Sequence, residues 1–226
     1  MSPRIGFLVF PNLTQLDMTG PWEVFTRMPG AEVLLVWKTT EPFATQGGLR
    51  LAATTTYDSC PQLDLVCVPG GPGVNPLIND EATLAFLKRQ AAGARYVTSV
   101  CTGSLILGAA GLLQGKRATS HWTARDLLAQ FGATPVDART VIDGNVITGG
   151  GVTAGIDFAL QVVAEILGEE AARAIQLSIE YDPQPPFAAG SPNGAGPALV
   201  ERLRKAGAAM RTERERAVAE AAARLR

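Results

Sequence analysis

The chain has 226 residues, enough for one full α/β domain with a sizeable core. Apolar residues make up 46% and charged residues 18%, the balance of a folded globule and not of a disordered or fibrous chain. A formal net charge of -1 gives no basis for a nucleic-acid or anionic-membrane partner, and no apolar run approaches the roughly 20 residues of a membrane span. Met1-Ser2-Pro3-Arg4 leads straight into a strand-like run, so no secretion signal is expected. Cys60, Cys67 and Cys101 are odd in number and lack metal-type spacing, which points to a reduced, cytoplasmic enzyme without a metal.

Ile5 to Phe10 is a near-continuous apolar run, the pattern of a strand buried on both faces of a parallel sheet. Asp17 falls in the loop that follows, and a short helix runs through Trp22 to Phe25 with Pro21 in its first turn. Glu32 to Trp37 reads as a second strand, and Thr39 to Thr56 as short antiparallel pieces around Gly47-Gly48. Asp64 to Val68 is a strand entering a rigid loop, Pro69-Gly70-Gly71-Pro72-Gly73. Asn79-Asp80-Glu81 caps a helix that reaches Ala92. Ala118 to Trp122 reads as a strand end, and Thr123 as the cap of a helix to Phe131. Thr140 to Thr148 forms a hairpin, and helices follow over Ala154 to Leu167 and Glu169 to Glu180. Strands alternating with helices predict a parallel sheet covered on both faces, which binds ligands beyond the carboxyl ends of its strands. That α/β unit spans residues 1–181. Residues 182–226 form a Pro/Gly-rich arm and an exposed or partner-packed helix, part of the same domain or of a dimer interface.

The stretch Tyr96 to Gly111 organises the chain. A β-branched run gives way to a helix of small residues at Cys101-Thr102-Gly103, which places a nucleophile at a strand-turn-helix corner. A helix N-terminus there favours the thiolate of Cys101. Asp17 is the candidate acid/base, its pKa raised if apolar neighbours desolvate it; a helix-capping aspartate is equally compatible. Thr102 offers a hydroxyl or N–H to the reacting group, or merely opens the helix. Gly70 and Gly71 offer backbone N–H groups to a developing negative charge, or merely turn the chain. His121 is either the base of a Cys-His pair or a structural histidine. Cys67 reads as core and Cys60 as a loop thiol. Gly149-Gly150-Gly151 lacks the pattern of a phosphate loop, and close packing near the elbow explains it.

These residues resemble the ThiJ/PfpI superfamily, whose flavodoxin-like core is shared with class I glutamine amidotransferases. The likeness covers roughly residues 4 to 180. It is carried by Phe10-Pro11 through Asp17 and Gly20-Pro21, Val68-Pro69-Gly70-Gly71 and Val100-Cys101-Thr102-Gly103, then by Ala118 to Trp122 and Gly151 to Asp157. The resemblance implies a flavodoxin-like doubly wound, mainly parallel sheet, a homodimer and no metal or organic cofactor. It implies a reactive Cys101 with Asp17 as its acidic partner and Thr102 beside it. It also places Gly70, Gly71, His121, Trp122, Gly150 and Val152 around the substrate or its oxyanion. The implied reaction is hydration of a small uncharged isonitrile, R–N≡C, to an N-substituted formamide through a cysteine thioimidate. Amidase- or glyoxalase-like chemistry and a cysteine-based redox or ligand sensor are the alternatives. Thr102 stands where the protease-like branch carries histidine, which weakens a peptidase reading. The Cys-Thr-Gly and His-Trp pieces also occur in AraC-type regulators. Those continue into two helix-turn-helix units, and fewer than fifty residues follow the last core helix here.

Overall fold

A computed structural model describes residues 3–225; Met1 and Ser2, part of the stretch expected to carry no secretion signal, and Arg226, the end of the tail, lie outside the described residues. The central sheet has seven strands: β1 (Arg4–Leu8), β2 (Glu32–Trp37), β5 (Thr55–Thr56), β6 (Leu65–Val68), β7 (Tyr96–Val100), β10 (Thr140–Asp143) and β11 (Val146–Gly149). Their spatial order is β10-β11-β7-β6-β1-β2-β5, all parallel except the β10–β11 hairpin. Two small pairs lie outside it, β3 (Phe43–Ala44) with β4 (Arg50–Leu51) and β8 (Arg117–Ala118) with β9 (Thr134–Pro135). Strand order reverses between β1 and β6. A parallel sheet opens its ligand crevice at such a point, beyond the carboxyl ends.

The helices are α1 (Gln15–Phe25), α2 (Val74–Leu77), α3 (Glu81–Ala91), α4 (Gly103–Ala109), α5 (Ala154–Leu167), α6 (Glu169–Ser178), α7 (Pro192–Ala195), α8 (Pro197–Ala206) and α9 (Ala208–Ala223). The core between sheet and helices holds Phe7, Phe10, Phe25, Phe86, Phe131 and Phe158, all fully buried. Asp80 caps α3 as its sequence predicts, accepting from Thr83 N–H at 2.8 Å. The hairpin corner forms where expected, with Gly144 at a φ of 64°.

Four expectations are corrected. Helix α1 begins at Gln15, so Asp17 lies in its first turn and not in a loop, and Pro21 sits inside the helix. Tight packing holds that proline. A Cβ on Gly155 of α5 would lie 3.1 Å from Pro21 Cδ, and one on Gly20 would lie 3.2 Å from Ile156 Cγ1. The helix after Thr123 is a 3-10 helix over Arg125–Phe131, and Thr123 turns its hydroxyl to His121 instead of capping it. The tail is two helices broken at Gly207. Its second, α9, is exposed on one face and packs the other on its own domain. Ala217, Val218, Ala221 and Ala222 are buried against the body, where α9 packs on α2, α4 and the 3-10 helix. Among the described residues no helix is long and apolar enough to cross a membrane.

Candidate active site

Cys101 leaves β7 with a φ of 58°, a region that residues bearing a Cβ occupy only under constraint. The constraint comes from both peptide groups. Cys101 N–H donates to the carbonyls of Gly149 at 3.0 Å and Gly150 at 2.9 Å. Its own carbonyl accepts from Ser120 Oγ at 2.9 Å and Ser104 Oγ at 3.2 Å. Gly103 permits the bend, because a Cβ there would stand 2.0 Å from the Val68 carbonyl oxygen. The elbow read from the sequence is therefore present, and hydrogen bonds hold it open.

Asp17 reaches the elbow from α1 and has no exposed surface. Its Oδ2 accepts from Gly70 N–H at 3.1 Å, while its buried Oδ1 has no hydrogen-bond partner. Burial pushes the carboxyl up to about 7, against the opposing pull of the Cys101 thiol and the Gly70 N–H. The thiol is close enough to bias that titration, yet no well-aligned hydrogen bond joins it to Oδ1.

Cys101 is 5% exposed. Burial first, and the Asp17 charge second, push its thiol well above the ordinary cysteine range. The Thr102 N–H and the Arg214 charge act in the opposite direction and do not win. The sequence expectation of a thiolate at a helix N-terminus is corrected on this point. Helix α4 is only seven residues long, and burial is the largest influence on this thiol. The resting pair is a thiol beside a carboxyl.

The other candidate residues surround this pair in different roles. Gly70 N–H is committed to Asp17, and Gly71 N–H donates to Thr102 Oγ1 at 3.0 Å, so neither is a free oxyanion donor. Thr102 Oγ1 accepts that bond and keeps its own proton to donate. Gly150 has both polar groups engaged, its N–H with Arg139 O at 2.8 Å and its carbonyl with Cys101 N–H; it supports the elbow and donates nothing to a ligand. Val152 is half-buried before α5, its carbonyl accepting from Gly155 N–H. His121 does border the sulfur. A Cβ on Gly151 would lie 2.3 Å from His121 Cδ2 and 3.3 Å from Cys101 Sγ. Its Nδ1 pairs with Thr123 Oγ1 at 2.8 Å, and burial, then the Arg214 charge, lowers its pKa to about 4. It is a neutral wall of the site and a poor base. Trp122 packs beside it at 5.8 Å and lines a cavity of about 830 Å³ shared with Leu203, Met210 and Arg214. Cys101 is not among the cavity walls; the cavity adjoins His121 through its neighbour Trp122.

Sequence reasoning missed Ser104, Ser120, Asn75 and Arg214. Ser104 directly follows the Val100–Gly103 motif and Ser120 lies inside Ala118 to Trp122, both already singled out. Nothing in the arginine-rich tail distinguishes Arg214 from its neighbours. Cys67 is core as expected, and Cys60 a half-buried loop thiol. Burial raises them to about 12 and about 11.

Residues 3–165 match the model of the DJ-1/PfpI family. The chain belongs to the DJ-1/PfpI family. It is 56% identical over 223 residues to a protein named isonitrile hydratase from Pseudomonas putida, with 97% of this chain and 98% of that one covered. A solved ThiJ/PfpI family protein from Pseudomonas syringae superposes with a TM-score of 0.94 at 44% identity, covering 96% of this chain and 91% of that one. The chain is also 32% identical over 189 residues to the transcriptional regulator GbdR of Pseudomonas aeruginosa, spanning 79% of itself but only 50% of that protein. Membership bears out the family resemblance and the flavodoxin-like, mainly parallel sheet.

Proposed function

We propose that this DJ-1/PfpI chain is a cofactor-independent isonitrile hydratase acting on a small uncharged isonitrile. The observation that carries the reading is the buried Asp17 carboxyl, its Oδ1 unpartnered beside the Cys101 thiol on a constrained elbow. The near full-length likeness to a protein named isonitrile hydratase supports it.

An isonitrile carbon must gain both a nucleophile and a proton, and this pair holds one proton to move. The Asp17 carboxylate takes the Cys101 proton as the sulfur approaches, then Asp17 delivers that proton to the same carbon the sulfur attacks. The product is a thioimidate, R–N=CH–S–Cys101. Asp17, again a carboxylate, deprotonates a water that adds to the carbon, and the proton passes to nitrogen. Collapse of the tetrahedral adduct breaks the C–S bond, releases R–NH–CHO and returns the thiol. Atoms balance as R–N≡C plus water, with no oxidation or reduction. The Thr102 hydroxyl, oriented by Gly71 N–H, is the donor placed to hold the adduct oxygen. A buried thiol pushed above its ordinary range is a poor peroxide sensor, because the thiolate is the form that oxidises.

Cyclohexyl isocyanide supplies the test, with formamide formation followed directly. Turnover lost in both C101A and D17N supports the hydratase; absence of turnover with Cys101 readily oxidised by peroxide favours a sensor. The family resemblance favours a homodimer. Sedimentation at micromolar concentration is expected to give twice the chain mass, and a single-chain mass removes the dimer. Three unpaired cysteines suit a reducing cytoplasm.

A further inference from the structure

The Cys101 carbonyl accepts from Ser120 Oγ, and the bonds around that serine lead back to the N–H of the same cysteine. Thr119, one residue earlier, donates from Oγ1 to the Ala138 carbonyl at 3.0 Å. Arg139, one residue after Ala138, accepts at its carbonyl from Gly150 N–H at 2.8 Å. The Gly150 carbonyl accepts in turn from Cys101 N–H at 2.9 Å, which closes a ring of hydrogen bonds and single peptide steps. A strut crosses the ring. Thr119 N–H donates to Thr148 Oγ1 at 2.9 Å, and Thr148 lies on β11 just ahead of Gly149 and Gly150. Thr119, Ser120 and Thr148 are all buried, so these bonds form away from competing water. The segment before Thr119 is fixed independently of β7, by the pairing of β8 with β9 and by Val136 N–H on the Ala118 carbonyl at 2.8 Å.

We propose that Thr119, Ser120 and Thr148 are positioning residues of the Cys101 nucleophile, and that the ring they complete sets where the sulfur stands against Asp17. The inference rests on Cys101 being the nucleophile of the proposed reaction. At a φ of 58° the Cys101 carbonyl takes no backbone N–H among the described residues; its partners are the Ser104 and Ser120 hydroxyls. Ser104 follows three residues along the same elbow and moves with it. Ser120 is 19 positions away and belongs to a separately anchored part of the fold, so it can register the cysteine against the rest of the molecule. Asp17 is held from the other side. Strand β7 lies between β11 and β6, and the Gly70 N–H that fixes the carboxyl follows β6. Slackening the ring therefore changes the gap between thiol and carboxyl, and a misplacement of about 1 Å can cost 10²-fold in rate.

T119V removes the ring bond from a side chain that makes no hydrogen bond to Cys101, and T119S keeps the hydroxyl. With cyclohexyl isocyanide, kcat in T119V is expected to fall about tenfold with KM near the parent value, and T119S restores most of it. S120A falls at least as far, and S120A/T119V no further than S120A, because both changes open one ring. Amide hydrogen exchange reads the ring without any isonitrile. Cys101 N–H is expected to exchange roughly tenfold faster in T119V and S120A, while Val66 N–H in β6 keeps its parent rate. Equal acceleration at both residues overturns the inference, as does a T119V kcat within about twofold of the parent or losses that multiply in the double variant. Should T119V not fold, T148V, which removes the strut, decides; unchanged kcat and unchanged Cys101 exchange there overturn it. Locally faster Cys101 exchange in a protein that never turns over isonitrile keeps the ring and removes the hydratase. Turnover with Cys101 exchange unchanged in the variants keeps the hydratase and removes the ring.

Discussion

A carboxyl with no exposed surface and a titration point near 7 governs how this site responds to pH. In the unfolded chain Asp17 titrates near 3.8, so the folded state holds its proton more tightly. Its contribution to stability is full below that lower value and is lost as pH rises through about 7. D17N is therefore expected to unfold at higher denaturant than the parent at mildly alkaline pH, by on the order of a few kcal/mol, with the gap closing toward pH ~4. A constant gap across that range in chemical denaturation would show that the carboxyl is not held protonated. The same titration sets activity. The productive pair carries one proton, which appears when the second is lost as pH rises through about 7. The kcat/KM for isonitrile hydration should climb through that region to a plateau, and D17N should lose the climb along with roughly 10²–10⁴-fold in rate. A flat profile in the parent enzyme contradicts this proton inventory.

The elbow is an element whose tolerance can be read atom by atom. A methyl at Gly103 meets backbone, the Val68 carbonyl 2.0 Å away, which cannot move aside without parting β6 from β7. G103A is expected to destabilise by about 1–3 kcal/mol or more in urea denaturation, whereas G47A, which meets nothing, should stay within about 1 kcal/mol of the parent. Equal stabilities would mean that the bend is looser than its geometry. This element was legible in the chain because a β-branched run stops at Val100 and small residues begin after Cys101, two different periods on either side of one glycine. Helix α5 was legible to the residue for a similar reason, an unbroken helical period from Ala154 to Leu167. Helix α1 was not. A proline normally marks a first turn, and only the close approach of Gly155 and Ile156 lets Pro21 stay inside a helix that begins at Gln15. The identity of Asp17 could be picked out, but its burial depends on that packing.

At the scale of the whole molecule, hydrogen bonds join widely separated parts of the chain. Asp17 to Gly70 spans 53 positions, and Asn75 to Arg214 spans 139. Helix α9 has alanine and arginine where most buried helices have leucine, so its buried stripe of Ala217, Val218, Ala221 and Ala222 contrasts little with the alanines of its exposed face. That is why the tail could be read only as an exposed or partner-bound helix. A chain stopped after Ala206 removes Val218 and its alanine neighbours from the body; burying Val218 alone is worth about 1.5–3 kcal/mol. The truncated protein should lose at least that much stability in urea, and an unchanged unfolding midpoint would show that α9 is not docked in solution.

The late position of α9 has a consequence for how the protein is made. A ribosome releases the strands and the elbow long before residue 214 emerges, and domains tend to consolidate from the N-terminal side during synthesis. Until α9 docks, the face of α2, α4 and the 3-10 helix that it covers stays open to water, a surface the emerging chain must keep from wrong partners.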